Sequence, residues 1–161
     1  MDILINNIKN IVTNETQIDI IIDKVRGLLN NDLMSTMKWI SPTMEHRRVY
    51  HQDVYYEKIF MYDDDDFSIV LIKWKKGSVT KIHDHPSKGC VAKLLKGKIK
   101  EESYDNDGGK IKFSESKIVN ENDIFIKIGS DTVHRIVALD DAISLHVYIP
   151  GHYVPNIYVC Q

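Results

Sequence analysis

The stretch that decides how this chain folds is Gly77-Ser78-Val79-Thr80-Lys81-Ile82-His83-Asp84-His85-Pro86-Ser87-Lys88-Gly89-Cys90-Val91-Ala92-Lys93-Leu94-Leu95-Lys96-Gly97. His83 and His85 stand two apart. In an extended strand both imidazoles project from one face, where two neutral nitrogens can converge on an ion. That is half of a metal site. Cys90 follows after a Pro-Ser-Lys-Gly turn. An H-x-H pair by itself also occurs on ordinary surface strands, so the reading rests on what surrounds it.

Outward from this stretch the chain divides in two. Residues 1–48 are expected to be mainly helical: Ile3, Ile5, Ile8 and Val12 make one apolar face, and Ile18, Ile21, Ile22, Val25, Leu28 and Leu29 continue the 3.6-residue period, with Ile20 off phase. Asn14 or Thr16 is the candidate cap of the second helix, and a short third helix is expected near Leu33–Trp39. From Val49 the pattern changes to short strands between turns: 52–61, 67–74, 79–84, 90–96, 98–104, 110–113, 116–119, 123–128, 133–139, 142–149 and 156–160. Strands at such regular intervals indicate a barrel or sandwich, with the helices packed on it. The run Asp63-Asp64-Asp65-Asp66 reads as a hairpin tip, because a calcium loop would need Gly at its sixth position and Glu at its twelfth.

Composition bounds the function. The 161 residues, 43% hydrophobic and 27% charged, suffice for a single domain over 1–161 with a sizeable core. No apolar run approaches the roughly 18 residues of a membrane span, and Met1-Asp2-Ile3-Leu4 lacks the basic start of a signal peptide. A soluble, cytoplasmic protein is expected. Two cysteines, Cys90 and Cys160, make no disulfide framework. The net charge of −2 and pI near 6.4 argue against nucleic acid as a partner. Lys73, Lys75, Lys76 and Lys81 read as a solvated strand face, and His46, His51, His152 and Cys160 as structural or exposed positions.

The spacing of Gly77, His83, His85 and Gly97 resembles the first motif of the cupin superfamily, with Cys90 in the slot usually filled by a ligand glutamate. A cupin with Cys there resembles the cysteine dioxygenase family, whose core shares Trp74, His83-Asp84-His85, Cys90, Lys93, Leu94 and Gly97. Gly89 offers a rival alignment, since many relatives have Gly at the Cys position, but the six residues between Cys90 and Gly97 favour Cys90. The resemblance covers roughly Tyr56–Pro150 and fades at Gly151-His152 and the tail.

It implies a mainly β cupin barrel, a double-stranded β-helix, with N-terminal helices against it. It implies iron(II) as cofactor, held by His83, His85 and His134, the last supplied by a looser second motif with Asn122 for the usual opening Gly and Ala138 for a usual Asn. In Ser144-Leu145-His146-Val147-Tyr148, alternation sets Ser144, His146 and Tyr148 on one face. The family there has a tyrosine beside the iron, which can be joined to the cysteine by a thioether. Cys90 and Tyr148 are the implied pair, with Ser144 and His146 orienting the phenol. Tyr56-Glu57-Lys58 stands where the family has Y-x-R, so Lys58, with Tyr56, would meet the substrate carboxylate as a point charge instead of a fork. Lys58 as a surface lysine is the alternative.

The implied activity is oxidation of L-cysteine by dioxygen to cysteine sulfinic acid, and the implied partners are a small thiol and O2, with no nucleic acid, no membrane and a monomeric state. Three neutral imidazoles leave the metal's charge uncompensated, which favours a thiolate. Two other readings stand beside it: a dioxygenase of another small thiol such as 3-mercaptopropionate, and a non-catalytic metal-binding cupin.

Overall fold

Two helices lead the chain in this computed structural model, which describes residues 1–30, the backbone of 47–51 and residues 56–160. Helix α1 (Asp2–Asn14) buries Leu4 and Ile8, with Ile5, Ile11 and Val12 packed at the margin. Ile3, expected on that face, is 79% exposed, because the buried stripe is centred on the Leu4–Ile8 row one residue further round the helix. Helix α2 (Ile18–Asn30) buries Ile21, Ile22, Val25 and Leu29. Neither expected cap serves its start. The Glu15 carboxylate instead accepts from the amides of Thr16 (3.0 Å) and Gln17 (3.3 Å) and pairs with Lys24 (3.1 Å). Asn14 turns back to Asn10, donating to its carbonyl at 2.9 Å. The helix expected near Leu33–Trp39 lies outside the described residues.

Eleven strands follow among the described residues: β1 (Arg47–His51), β2 (Tyr56–Asp63), β3 (Ser68–Trp74), β4 (Ile82–His83), β5 (Gly89–Lys96), β6 (Ile99–Asp107), β7 (Lys110–Val119), β8 (Ile124–Lys127), β9 (Thr132–Ala138), β10 (Ala142–Ile149) and β11 (Ile157–Tyr158). The two strands expected at 110–113 and 116–119 are one, β7, whose pairing with β6 is irregular between Ser103 and Tyr104. A bulge absorbs one residue and keeps the ladder going, which is how a break in alternation can mislead. The strands form two antiparallel sheets, ordered β1-β2-β3-β10-β5-β8 and β11-β4-β9-β6-β7.

The first sheet is buried on both sides. Ile69, Leu71, Val91, Leu95, Leu145 and Val147 share one cluster with the helices, while Val70, Ile72, Trp74, Ala92, Leu94 and Phe125 meet Ile99, Ile136 and Ala138 of the second sheet. Successive side chains alternate between these faces, so β3 and β5 read as nearly continuous apolar runs. Each helix side chain withdrawn from water contributes about 2 kcal/mol. Among the described residues no helix is long and apolar enough to cross a membrane.

Lys93 is the exception on the helix-facing side of β5. It is 5% exposed, and its ammonium donates to the Leu29 carbonyl at 2.8 Å, where the end of α2 leaves carbonyl groups without helical partners. The acidic run is the hairpin tip expected of it: one Asp64 oxygen accepts from the amides of Asp66 and Phe67, both at 3.0 Å, and the other from Tyr62 at 2.5 Å. The chain after β10 returns to this tip. Gly151 lies so close that a β-carbon there would stand 1.8 Å from the Asp64 carbonyl oxygen.

Lys93→Met is expected to destabilise the fold by about 1–3 kcal/mol, the cost of a buried carbonyl left without its charged donor. Lys73→Met, at an exposed position next to the last residue of β3, should stay within about 0.5 kcal/mol. Urea unfolding of the two variants beside the parent chain checks both.

Candidate metal centre and its cavity

Between the sheets lies a cavity of about 560 Å³, walled by His83, His85, Cys90, His134, His146 and Tyr148 together with Tyr56, Lys58, Ile72, Trp74, Phe125 and Lys127. His83 is in β4 and His134 in β9, and the two are register partners across that pair. His85 follows on the same face, its amide donating to the Gly129 carbonyl at 3.0 Å. One ring nitrogen from each of the three lies within 4.8 Å of the others, the one such group of metal-ligating side chains among the described residues.

The three rings fit a metal on two observations. Burial, foremost, lowers the pKa of all three, helped at His83 and His85 by the neighbouring rings, which bring His83 to about 3 and His85 further, and at His134 by Lys127 and Lys117 against the opposing pull of Glu101. Neutral imidazole is the form that donates a lone pair. Second, two of the rings are held by a hydrogen bond at one nitrogen, and the third has a buried nitrogen to spare. His83 Nδ1 meets the Lys81 carbonyl at 2.8 Å and His134 Nδ1 meets a Glu101 oxygen at 2.6 Å, whereas the buried Nδ1 of His85 has no hydrogen-bond partner.

Glu101 is the residue that sequence reading missed here. Its carboxylate is fully buried and takes Lys117 (3.0 Å) and Lys127 (3.3 Å) besides His134. Those cations and the His134 hydrogen bond outweigh burial and bring it down to about 2, so it stays ionised. A carboxylate on the far nitrogen of a ligand histidine fixes the tautomer and the plane of the ring. The signal was present in Ile99-Lys100-Glu101-Glu102-Ser103, where alternation from the apolar Ile99 turns Glu101 inward. Lys127 was missed as well: it is the register partner of Cys90 and reaches Ser103 at 2.9 Å.

On the first sheet Ser144, His146 and Tyr148 do share the inner face. Ser144 sits behind, not on the cavity wall. It accepts from the Trp74 indole at 2.8 Å and contacts His146 Nε2 at 2.8 Å. With the indole donating, the serine hydroxyl still has its own proton to give to Nε2, an arrangement that puts the ring proton of His146 on Nδ1. That nitrogen faces the Tyr148 hydroxyl at 3.5 Å and Cys90 Sγ at 3.8 Å. Burial, foremost, keeps His146 neutral and raises both the Tyr148 phenol and the Cys90 thiol, so phenol and thiol both hold their protons.

Cys90 and Tyr148 are direct cross-strand partners of β5 and β10. Gly89, the rival for the Cys90 slot, faces the other way, where a β-carbon would come 2.8 Å from Ile22 of α2, and its φ of +109° suits only glycine. Lys58 lies on the cavity wall and not on the open surface, its pKa lowered by burial and partly restored by Cys90. Tyr56 packs against Trp74 at the same wall, the two rings tilted with centroids 5.0 Å apart. His152 and Cys160 are exposed, the former beside Asp63 (3.2 Å) and Asp65 (3.5 Å). The side chains of His46 and His51 lie outside the described residues.

Two facing antiparallel sheets are the architecture of a cupin, and the three histidines between them are a group that could hold a metal. Solved cupins agree on the fold. The RmlC-like cupin from Shewanella frigidimarina superposes with a TM-score of 0.55 at 15% identity, over 71% of this chain and 92% of that one. KdgF from Halomonas sp. gives 0.53 at 19%, over 69% and 92%. At the level of sequence, the profile of the family Cysteine dioxygenase type I matches residues 5–158, and the chain belongs to that family. Cysteine dioxygenase type 1 of Rattus norvegicus is 33% identical over 90 residues, and that of Homo sapiens 30%. The match takes in 52% of this chain and 45% of each relative, so it spans a little under half the length of those proteins.

Glu101→Gln is expected to lower affinity for a divalent metal about 10- to 100-fold, with the fold retained. Equilibrium titration with cobalt(II), followed by its visible absorption, measures the change.

Proposed function

We propose that this chain is an iron(II)-dependent thiol dioxygenase that converts L-cysteine and O2 to cysteine sulfinic acid. The observation that carries the reading is the pairing of two half-sites across one cavity: three neutral histidines on the second sheet, and a protonated Tyr148 beside Cys90 and His146 on the first. Iron(II) held by His83, His85 and His134 would supply a Lewis-acidic, redox-active centre that favours a thiolate and activates dioxygen. In the overall reaction both oxygen atoms pass to sulfur, the thiol is oxidised to the sulfinic acid and O2 is the oxidant.

The chain's own residues then have distinct work. Lys58 offers a half-buried positive charge to the substrate carboxylate, with Tyr56 beside it. Tyr148, with its pKa raised by burial, keeps its proton and donates a hydrogen bond to an oxygen next to the substrate sulfur. His146, its ring proton directed by Ser144 and Trp74, holds the phenol in line. Ile72, Phe125 and Ile136 exclude water, which strengthens each of these polar contacts. A thioether between Cys90 Sγ and the Tyr148 ring, formed with loss of two hydrogen atoms to dioxygen, would fix the phenol further. The cross-strand register of the two residues supports it.

Lys58 also favours a second reading, oxidation of 3-mercaptopropionate. A single ammonium needs only a carboxylate, and it lacks the two-pronged grip of an arginine that would orient a larger amino acid head.

Anaerobic loading with iron(II), followed by oxygen uptake and product mass with L-cysteine or 3-mercaptopropionate, decides between them. Faster sulfinate formation from cysteine is expected. Stoichiometric iron with no product from either thiol would leave a metal-binding cupin. Tyr148→Phe should lower turnover about 100-fold while iron content stays near that of the parent; equal loss of both would reject the assigned role. In a tryptic digest of oxygen-exposed protein, the thioether appears as the Cys90 and Tyr148 peptides joined, at their summed mass less two hydrogens.

A further inference from the structure

Asp84 stands between two of the three histidines yet belongs to neither the metal group nor the cavity wall. It is 2% exposed, and alternation along the strand turns its carboxylate away from theirs. What it holds is the tail. One oxygen accepts from the Tyr153 hydroxyl and from the Asn156 amide at 2.8 Å; the other accepts from Asn156 Nδ2 at 2.8 Å and Tyr158 at 3.0 Å. Four donors saturate an ionised carboxylate. These bonds help keep Asp84 ionised despite its burial. The Asp84 amide adds a fifth contact, donating to the Asn156 carbonyl at 3.3 Å.

The consequence lies on the other side of the tail. Strand β11 pairs with β4 so that Ile157 is opposite His83. Ile157 and Pro155 both line the cavity, and Ile157 is also 51% exposed, which puts it at the mouth. Tyr153 stacks on Tyr148 at 6.5 Å. The wall contributed by Pro155 and Ile157 is apolar. It has no side-chain group to hydrogen-bond the far end of a substrate, and it stands on the strand next to a candidate ligand.

We propose that the Tyr153–Tyr158 segment, anchored by Asp84 and presenting Ile157 at the mouth, is the specificity-determining wall of the site. It admits compact thiols with a free head group and rejects those extended by a polar acyl or peptide group. The proposal rests on the thiol-binding reading above, and it makes Ile157 a specificity residue and Asp84 a positioning residue. An extended thiol must bring its amide against Ile157 and Pro155, which offer it no side-chain partner, and polar groups that lose water without gaining a partner are disfavoured.

The test uses cobalt(II)-loaded protein without oxygen, titrated with L-cysteine, N-acetyl-L-cysteine and glutathione and read by thiolate-to-cobalt absorption, so it requires no turnover. The parent chain should bind cysteine at least about tenfold more tightly than either extended thiol. Ile157→Ala should narrow that ratio about tenfold. The double variant Asn156→Ala/Tyr158→Phe, which alters no cavity-lining residue, should narrow it too and speed amide hydrogen exchange over 153–158. A ratio within twofold of the parent's in both variants overturns the proposal, as does a parent that binds all three thiols alike, or tail amides no faster in the double variant. A parent that holds cobalt but binds no thiol fails one level lower, sinking the thiol-binding reading and this inference with it.

Discussion

The pairing of β4 with β9 is the constraint on which the rest depends. β4 is two residues long, yet it sets His83 directly across from His134 and leaves His85 to complete the cluster. The three rings lie with centroids 4.5 to 5.2 Å apart. Such a short strand has little pairing energy of its own. It is held by neighbours: the Val79–Val137 bridge, the Thr80 amide on the Ile136 carbonyl at 2.9 Å, the His85 amide on Gly129, and β11 along its other edge. Asp84 ties that last edge through side chains. The same dipeptide step therefore aims histidines one way and anchors the tail the other.

Charge around the centre is arranged to keep the histidines neutral and the cavity short of anions. The nearest carboxylate, Glu101, is shared among His134, Lys117 and Lys127, so that much of its charge is already answered. Cys90 holds its proton under burial, and Lys58 contributes a further positive group at the wall. A cavity so constituted suits the anionic head and thiolate of the proposed substrate, because in a poorly solvated space such charges must be met by opposite ones. On the proposed reading, this is the physical sense of a cysteine in the slot that, by the cupin resemblance, usually carries a ligand glutamate: the site has one negative charge fewer, which a substrate thiolate would restore.

The helices pack on the side of the first sheet away from the centre, yet they govern that sheet. α2 covers the outer side of β5, and its approach at Ile22 leaves Gly89 no room for a side chain. Cys90, the next residue, then faces inward, and its register partners Lys127 and Tyr148 line the cavity with it. Lys93 ties the same strand to the end of α2. Packing on one side of the sheet thus decides which side chains reach the chemistry on the other.

Much of this was legible in the chain itself, for a local reason. Alternation in a strand is a property of neighbouring residues, so His83 with His85, and Ser144 with His146 and Tyr148, could be assigned to common faces, and the change from a 3.6 to a 2.0 period marked where helices give way to sheets. Other features depended on contacts between distant segments. Glu101 behind His134, Lys127 beside Cys90, Lys93 at the end of α2 and Asp84 under the tail are charged residues, ordinarily assigned to water. Only tertiary structure buries them, because only there does each find the partner that makes burial tolerable. The sequence by itself determined the sheets, the helices and which residues can coordinate. The tertiary structure decided which charges are buried, what closes the cavity and how the histidines are held, since those depend on partners tens of residues away along the chain.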